Sequence, residues 1–385
     1  MPAAETLDWL ARLVSFDTTS RNSNLALIAE MEVFLAAHGV PFERVEDETL
    51  GKASLFATIG PAEEKGIVLS GHTDTVPVDG QAWTSDPFTL TARDGRLYAR
   101  GTCDMKGFVA TCLAMVPRMT ARSLKKPIHL AFSYDEEIGC LGVRPLLRRL
   151  AARGFRAEGC IVGEPTSMQV VIAHKSKYSL RTHVHGRCGH SSRAPELANA
   201  VEAGALMAVK VHQLAARLAA EGRRDDLFDI PHSTAQVGVF HGGTALNIVP
   251  ELAVLEWEIR ALPEDDADAM VAEIKRYACE EIVPQLQAKA PEADIRFEQT
   301  SSIPGLSTAE DAPITTLAKA WAGRNDHAKV AYGTEGGLFV DIAQIPTIVC
   351  GPGSIAQAHQ ADEYVEASQL EACEAFLERV IDYCA

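Results

Sequence analysis

The first half of the chain alternates amphipathic helical patterns with short apolar runs. Helical periodicity over residues 5–16 and 26–38 predicts two helices, the second of which ends at Gly39. Strand-like apolar runs lie at 54–59, 67–70, 128–134, 159–162 and 170–173, with helical patterns at 107–119 and 143–153. Continuous apolar strands separated by helices favour an α/β fold with a mostly parallel central sheet covered on both faces.

The pattern changes after Lys175, where polar and apolar residues alternate as in a half-exposed strand. The segments that follow predict a strand at 178–185, a helix at 196–221, strands at 234–240 and 252–259, a helix at 264–290 interrupted near Pro284, and a strand at 293–298. This β-α-β-β-α-β order is that of a ferredoxin-like sandwich. The first type of pattern resumes at 314–321, 346–350 and 367–383. We therefore expect residues 179–303 to be inserted into a discontinuous domain of residues 1–178 and 304–385.

Length and charge narrow the class of protein. A chain of 385 residues suggests two domains, and 36 basic against 52 acidic residues give a formal charge of −16. Nucleic acids and anionic membranes need basic patches, so a small-molecule substrate fits better. The nine cysteines form no CxxC pair, the N-terminus lacks the pattern of a secretory signal, and no apolar run is long enough to span a bilayer. We expect a cytoplasmic protein.

Side chains of the metal-ligand type follow the predicted strands at the points where those strands end. They are His72, Glu136, Glu137, Glu164 and His359. Open α/β sheets bind ligands at the carboxyl ends of their strands, where these residues would meet. The sequence therefore predicts a hydrolytic metal site at this edge of the sheet.

Two further carboxylates belong to this prediction. Asp74, two residues after His72, can accept a hydrogen bond from the second ring nitrogen of that histidine, although an HxD pair alone is a weak signal. Asp104 lies in a glycine-framed turn, Gly101 to Gly107, that opens a helix. It could be an ordinary N-cap or could bridge two cations.

The acidic run Asp135-Glu136-Glu137 follows a strand that should be buried. Unpaired carboxylates there would repel one another, and cations would remove the repulsion. We assign Glu137 as a ligand and Glu136 as the general base, since adjacent side chains point to different sides. Together with Glu164 and His359, the inventory of two histidines and three carboxylates suffices for two zinc ions that share Asp104.

Seven motifs in this order carry a resemblance to a known family: GHTDTVP, RGTCDMKG, SYDEE, GEPTS, GHSS, NIVP and GPGSIAQAHQADEY. They resemble the dizinc amidohydrolase and aminopeptidase-like family, which includes aminoacylase, succinyl-diaminopimelate desuccinylase, carnosine dipeptidase and acetylornithine deacetylase. The similarity covers about residue 5 to the C-terminus. It implies a zinc-aminopeptidase-like catalytic domain, an inserted lid and dimerisation domain, a homodimer formed through that insertion, and two Zn²⁺ ions for which Co²⁺ can substitute.

The resemblance also implies a role for each residue of the metal site. His72 and Glu164 would bind one zinc, Glu137 and His359 the other, and Asp104 would bridge them; an exchange of Glu164 and Glu137 between the ions stays open. Glu136 matches the proton shuttle of the family. Asp74 matches the residue that orients His72.

Substrate contacts are implied in both predicted domains. In relatives, the histidine matching His190 reaches the active site of the neighbouring subunit and stabilises the oxyanion, and those matching Asn247 and Arg260 contact substrate. Arg260 could instead pair with Glu258 or Glu256 of its own strand region. The resemblance extends to Thr334 and Glu335, and a carboxylate at Glu335 would suit a cationic side chain such as that of ornithine.

Within the family, the likeness is greatest to the acetylornithine deacetylases, above all in GPGSIAQAHQADEY and HGGTALN. It implies hydrolysis of N2-acetyl-L-ornithine to L-ornithine and acetate, a step of arginine biosynthesis. Deacylation of another N-acyl amino acid, or desuccinylation of succinyl-diaminopimelate, is the alternative. A non-catalytic metal-binding protein is disfavoured because Glu136 and all five ligands are present.

Overall fold

A computed structural model describes all 385 residues, which form two compact units. The first unit is discontinuous and comprises Met1–Ala173, Leu306–Lys329 and Thr334–Ala385. The second unit comprises His174–Gly305 and Val330–Gly333. No helix in either unit is long and apolar enough to cross a membrane.

The strands and helices are numbered separately in chain order. The strands are β1 (Phe42–Asp47), β2 (Lys52–Ile59), β3 (Ile67–His72), β4 (Thr91–Arg93), β5 (Arg96–Tyr98), β6 (Ile128–Ser133), β7 (Gly159–Pro165), β8 (Val171–His174), β9 (Lys177–His185), β10 (Gly189–His190), β11 (Thr234–Gly242), β12 (Ile248–Val249), β13 (Leu252–Arg260), β14 (Asp294–Ile303), β15 (Leu306–Ser307), β16 (Ala328–Val330), β17 (Thr347–Gly351) and β18 (Tyr364–Glu366). The helices are α1 (Ala4–Ser15), α2 (Leu25–Ala37), α3 (Lys106–Ala121), α4 (Val143–Ala152), α5 (Ala200–Glu221), α6 (Ala267–Tyr277), α7 (Val283–Gln287), α8 (Pro313–Ala322), α9 (Gly336–Ala343) and α10 (Ala367–Cys384).

The main sheet of the first unit has the strand order β1-β2-β6-β3-β7-β17-β8-β15, with β16 beside β8. Its centre, β6-β3-β7-β17, is parallel, as predicted, while β1, β2 and β8 pair antiparallel to their neighbours. Every residue of the four parallel strands is buried. Burial on both faces explains why these strands read as continuous apolar runs.

Successive residues of the central strands point to opposite faces, and helices cover both faces. On one face, Ile67 and Leu69 of β3 and Leu130 of β6 pack into a core with side chains of α1, α2, α3, α8 and α10. On the other face, α4 packs on β2 and α9 on β7 and β17. The helices cover the faces of the sheet, and loops follow the carboxyl ends of the parallel strands.

The second unit is an antiparallel sheet in the order β11-β13-β9-β14, with α5, α6 and α7 packed on one face of it. Burial alternates along β9 and β13, in agreement with their polar and apolar alternation. The predicted start of the long helix at residue 196 was wrong. The helix begins at Ala200, because the side chain of Asn199 caps it by accepting from the backbone of Val201 and Glu202.

All nine cysteines are free thiols, and seven of them are buried. Several of the buried ones, among them Cys112 and Cys373, belong to the apolar core of the first unit. Cysteine packs there as a small apolar side chain.

Candidate metal centre

The parallel strands bring several of the predicted ligands to one edge of the sheet. β3 ends with His72, β7 carries Glu164 next to its last residue, and Glu136 follows β6 after a two-residue extension. β6 and β7 both pair with β3 in parallel, so their carboxyl ends lie side by side. The fold therefore brings together three acidic or imidazole side chains that are far apart in the sequence.

The imidazole of His72 is held on both ring nitrogens. Nε2 lies 3.0 Å from Asp104 Oδ1 and 3.7 Å from Glu164 Oε1. Nδ1 lies 3.0 Å from the carbonyl oxygen of Asp74 and 3.5 Å from its Oδ1. Asp74 thus holds the ring from behind while Nε2 faces the acidic cluster.

Asp104 lies between two histidines. Its Oδ1 faces His72, and its Oδ2 lies 3.2 Å from Nε2 of His359. The helix that follows, α3, has Met105 at its N-cap position and no side-chain cap, so the N-cap alternative for Asp104 is not observed. A carboxylate with one oxygen on each histidine has the geometry of a bridging ligand.

His359 completes the second half of the cluster. Its Nε2 lies 3.0 Å from Glu137 Oε2. The side chain of His359 is 50% exposed, while that of Glu137 is 7% exposed, so this half opens towards solvent. Ligand atoms of His72, Asp104 and Glu137 all lie within 4.8 Å of one another, as do those of His72, Glu136 and Glu164.

The electrostatics of the cluster suit cations. Burial, together with the neighbouring carboxylates, raises the pKa of Glu136 to about 8 and that of Glu137 to about 7. The same causes raise the pKa of Glu164 well above its usual range. Carboxylates that repel one another in a buried site are stabilised as anions by bound metal ions. Two imidazoles and three carboxylates form a donor set that fits a pair of divalent cations.

Asp74 also organises the acidic run after β6. Its Oδ1 accepts from the backbone N–H of Glu136 at 3.1 Å, and its Oδ2 accepts from that of Glu137 at 3.3 Å. The hydroxyl of Ser20 donates to Oδ2 at 2.7 Å. No pattern in the sequence indicates this role for Ser20, which is 54 residues away from its partner along the chain.

Asp135 and Glu136 of that run have different environments. Both oxygens of Asp135 accept from the ammonium of Lys52, at 2.6 and 2.7 Å. The thiol of Cys140 lies 3.3 Å from Glu136 Oε1 and donates to it. Glu136 has no ammonium partner of this kind and lies close to Glu164 and His72.

Thr334 and Glu335 are buried in the first unit. Glu335 accepts hydrogen bonds from the hydroxyls of Ser70 and Ser133, at 2.6 and 2.8 Å. The hydroxyl of Thr334 accepts from the N–H of Gly336. Both carboxylate oxygens are thus engaged by serines of β3 and β6. The substrate contact of Glu335 stays a prediction.

The second unit carries the other three predicted residues. His190 is exposed in β10, where its Nδ1 lies 2.8 Å from the Ser192 hydroxyl. Asn247 is its neighbour, since the carbonyl of Asn247 accepts from Ser191 N–H. Arg260 donates to Glu258 Oε1 at 3.1 Å, so the pairing with Glu258 that the sequence left open is present.

Comparison with known proteins identifies the family of this chain. Residues 68–383 match Peptidase family M20/M25/M40. The chain belongs to this family.

Relatives and structures within the family cover nearly the whole chain. An acetylornithine deacetylase of Myxococcus xanthus is 36% identical over 379 residues, covering 97% of this chain and 95% of its own. One of Photorhabdus laumondii is 34% identical over 370 residues, covering 95% and 92%. The family metallo-carboxypeptidase Sso-CP2 of Sulfolobus solfataricus superposes with a TM-score of 0.77 at 18% identity, covering 98% of this chain and 99% of that one, and shares the fold.

Proposed function

We propose that this chain is a metal-dependent acetylornithine deacetylase, which hydrolyses N2-acetyl-L-ornithine to L-ornithine and acetate. The similarity to proteins of that name, at 34–36% identity over almost the full length, supports this substrate. The observation that carries the chemistry is the position of Asp104, with one carboxylate oxygen on each of two histidines. Such a centre suits hydrolysis of an amide.

We infer that the cluster holds two divalent cations, zinc in the first place, with cobalt as a substitute. His72 and Glu164 would bind one ion and His359 and Glu137 the other, with Asp104 shared. The distances of 3.7 Å from His72 to Glu164 and 3.0 Å from His359 to Glu137 support this division over the exchange of the two glutamates. The ions would polarise the amide carbonyl and lower the pKa of the attacking water.

Glu136 is the proposed general base. It would take the proton of the attacking water and pass it to the amine nitrogen that leaves as ornithine is released. Burial raises its pKa to about 8, and bound cations would favour its anion. Asp74 positions this residue through the 3.1 Å hydrogen bond to its backbone N–H, and the thiol of Cys140 fixes one oxygen.

The second unit is proposed to act as a lid and as the surface of a homodimer. Strand β11 lies at the edge of its sheet, and edge strands generally need a partner or protection. Helix α5 exposes Leu206 and Val209, at 42% and 51%, and Leu246 is fully exposed. In such a dimer, His190 would stabilise the oxyanion in the neighbouring subunit. Asn247 and Arg260 are the proposed substrate contacts.

A cytoplasmic location is proposed as well. The protein has nine cysteines and no disulfide bond. Free thiols in this number suit the reducing compartment of the cell.

The substrate is tested by turnover with one zinc-loaded preparation. Acetylornithine is compared with succinyl-diaminopimelate and with acetylmethionine, and Glu136→Gln serves as the inactive control. The proposal requires the highest kcat/KM for acetylornithine. A preference for either of the other two would keep the hydrolytic centre and replace the substrate.

A further inference from the structure

Glu363 holds the turn that presents Asp104. Its Oε1 accepts from two successive backbone N–H groups, those of Cys103 at 2.9 Å and of Asp104 at 3.1 Å. Its Oε2 accepts from Nη1 of Arg100 at 2.6 Å. Glu363 and Arg100 are each 1% exposed, so this ion pair lies in the interior of the first unit. The backbone at Asp104 is thus held by hydrogen bonds to a buried carboxylate.

Arg100 extends the network to the loop of the second histidine. Its Nη2 donates to Gln81 Oε1 at 2.5 Å. Gln81 in turn donates from Nε2 to the backbone carbonyl of His359 at 2.9 Å. His359 has φ of +63°, a left-handed conformation that is uncommon for residues other than glycine and that surrounding contacts must hold. A continuous chain of hydrogen bonds therefore runs from Asp104 through Glu363, Arg100 and Gln81 to His359.

We propose that the Arg100–Glu363 pair, with Gln81, is a positioning device that sets Asp104 and His359 at the separation a shared cation needs. The inference rests on the proposed metal centre but not on its substrate. Neither Arg100 nor Glu363 touches the cluster with its own side-chain charge. Both act through the backbone of the two ligand loops, which carry Asp104 and His359 and are 255 residues apart in sequence.

A purely structural role is the competing explanation. A buried ion pair that loses one partner leaves the other charge unpaired, which destabilises the fold by itself. The two explanations differ at Gln81, which is only partly buried and carries no charge. Replacing Gln81 leaves the Arg100–Glu363 ion pair intact and removes the hydrogen bonds of Gln81 to Arg100 Nη2, Trp83 Nε1 and the carbonyl of His359.

The test measures metal binding directly, without substrate. Zn²⁺ affinity is obtained by competition with a chelator of known affinity, the absorption spectrum of bound Co²⁺ reports the geometry, and thermal unfolding of the metal-free protein reports stability. The variants are Gln81→Leu and Glu363→Gln. The control is Glu158→Gln, which breaks a pair with Lys126 in the same unit, at 2.8 Å, away from the cluster.

Loss of residues that orient metal ligands typically costs about 10–100-fold in metal affinity. In Gln81→Leu, we expect the affinity for the more weakly held ion to fall by that factor and the Co²⁺ spectrum to change. The unfolding temperature of the metal-free protein should change little. Glu158→Gln should show the reverse, a lower unfolding temperature and unchanged metal binding. Wild-type affinity and spectrum in Gln81→Leu, and in folded Glu363→Gln, would overturn the inference. A wild-type protein that binds no cations would instead overturn the proposed centre.

Discussion

The hydroxyl of Ser70 donates a 2.6 Å hydrogen bond to the carboxylate of Glu335, 265 residues further along the chain. Ser70 lies two residues before His72 on β3, and Ser133, which donates to the other oxygen at 2.8 Å, ends β6 three residues before Glu136. The carboxylate at the start of α9 therefore ties together two strands that carry the site. We therefore expect Glu335 to support these strands from within the first unit.

Glu335→Gln should lower kcat/KM by a similar factor for acetylornithine and for the neutral acetylmethionine. The amide weakens two buried hydrogen bonds to a charged group, each worth about 1.5–3 kcal/mol, so the unfolding temperature should fall as well. Steady-state kinetics on both substrates and thermal unfolding check this, with the exposed Glu63→Gln as control. A loss of kcat/KM confined to acetylornithine would show instead that Glu335 contacts the substrate, as the sequence suggested.

Glu136→Gln should keep the metal content near that of the wild type and reduce kcat by about 10²–10⁴-fold. The substitution preserves size but removes the group that accepts the proton. Metal analysis and turnover of the same preparation check it. Glu137→Gln is the matched comparison and should lose bound metal, because Glu137 is assigned as a ligand. Near-normal turnover by Glu136→Gln would mean that the base lies elsewhere.

The central strands of the fold were predictable from sequence because they are completely buried. Strands β3, β6, β7 and β17 are buried on both faces and so are continuously apolar. Strand β1 was missed because it lies at a sheet edge and its sequence, Phe-Glu-Arg-Val-Glu-Asp, carries the charges that an exposed strand tolerates. Helix α9 was missed because it begins with two glycines, which are poor helix formers.

The residues of the candidate site that follow apolar strands were predictable from the sequence. His72 and Glu164 follow apolar runs, and a parallel sheet brings such ends together. The residues that support them had no such signal. Glu363 lies in a motif that was recognised, but its hydrogen bond to the backbone of Asp104 joins positions 259 residues apart. Contacts between residues so far apart in sequence depend on how the loops pack, and no local sequence pattern indicates that packing.

Val209→Glu should convert the proposed dimer to a monomer. Val209 is 51% exposed on α5, and a carboxylate there would be buried without a partner in an apolar interface. Sedimentation at micromolar concentration measures the change. Val33→Glu is the control, since Val33 is 71% exposed on α2 of the first unit and should not alter the mass. A wild-type protein that is monomeric and fully active would contradict both the dimer and the role of His190 across subunits.

His129 should make the stability of the protein fall in mild acid. Its ring stacks on Phe56 at 5.3 Å between centroids, and Nδ1 contacts the hydroxyl of Thr58 at 3.0 Å, but the buried Nε2 has no hydrogen-bond partner. Burial, with a contribution from the charge of Arg153, lowers the pKa of His129 to about 4. The unfolded chain binds this proton at a pKa of about 6.5, so the contribution to stability is complete above that pH and is lost as the pH falls towards 4.

His129→Phe keeps the aromatic contact and removes the titrating group. Between pH 7.5 and pH 5, the free energy of unfolding should therefore fall by about 2 kcal/mol less in His129→Phe than in the wild type, a difference that follows from the two pKa values. Denaturant unfolding at both pH values measures it, and the other titrating groups cancel because both proteins share them. Phe56→Leu, which disturbs the same cluster without removing the imidazole, should retain the wild-type pH dependence. If His129→Phe and the wild type lose the same free energy, the imidazole takes up its proton in the folded protein as readily as in the unfolded chain, and burial at this position does not hold it neutral.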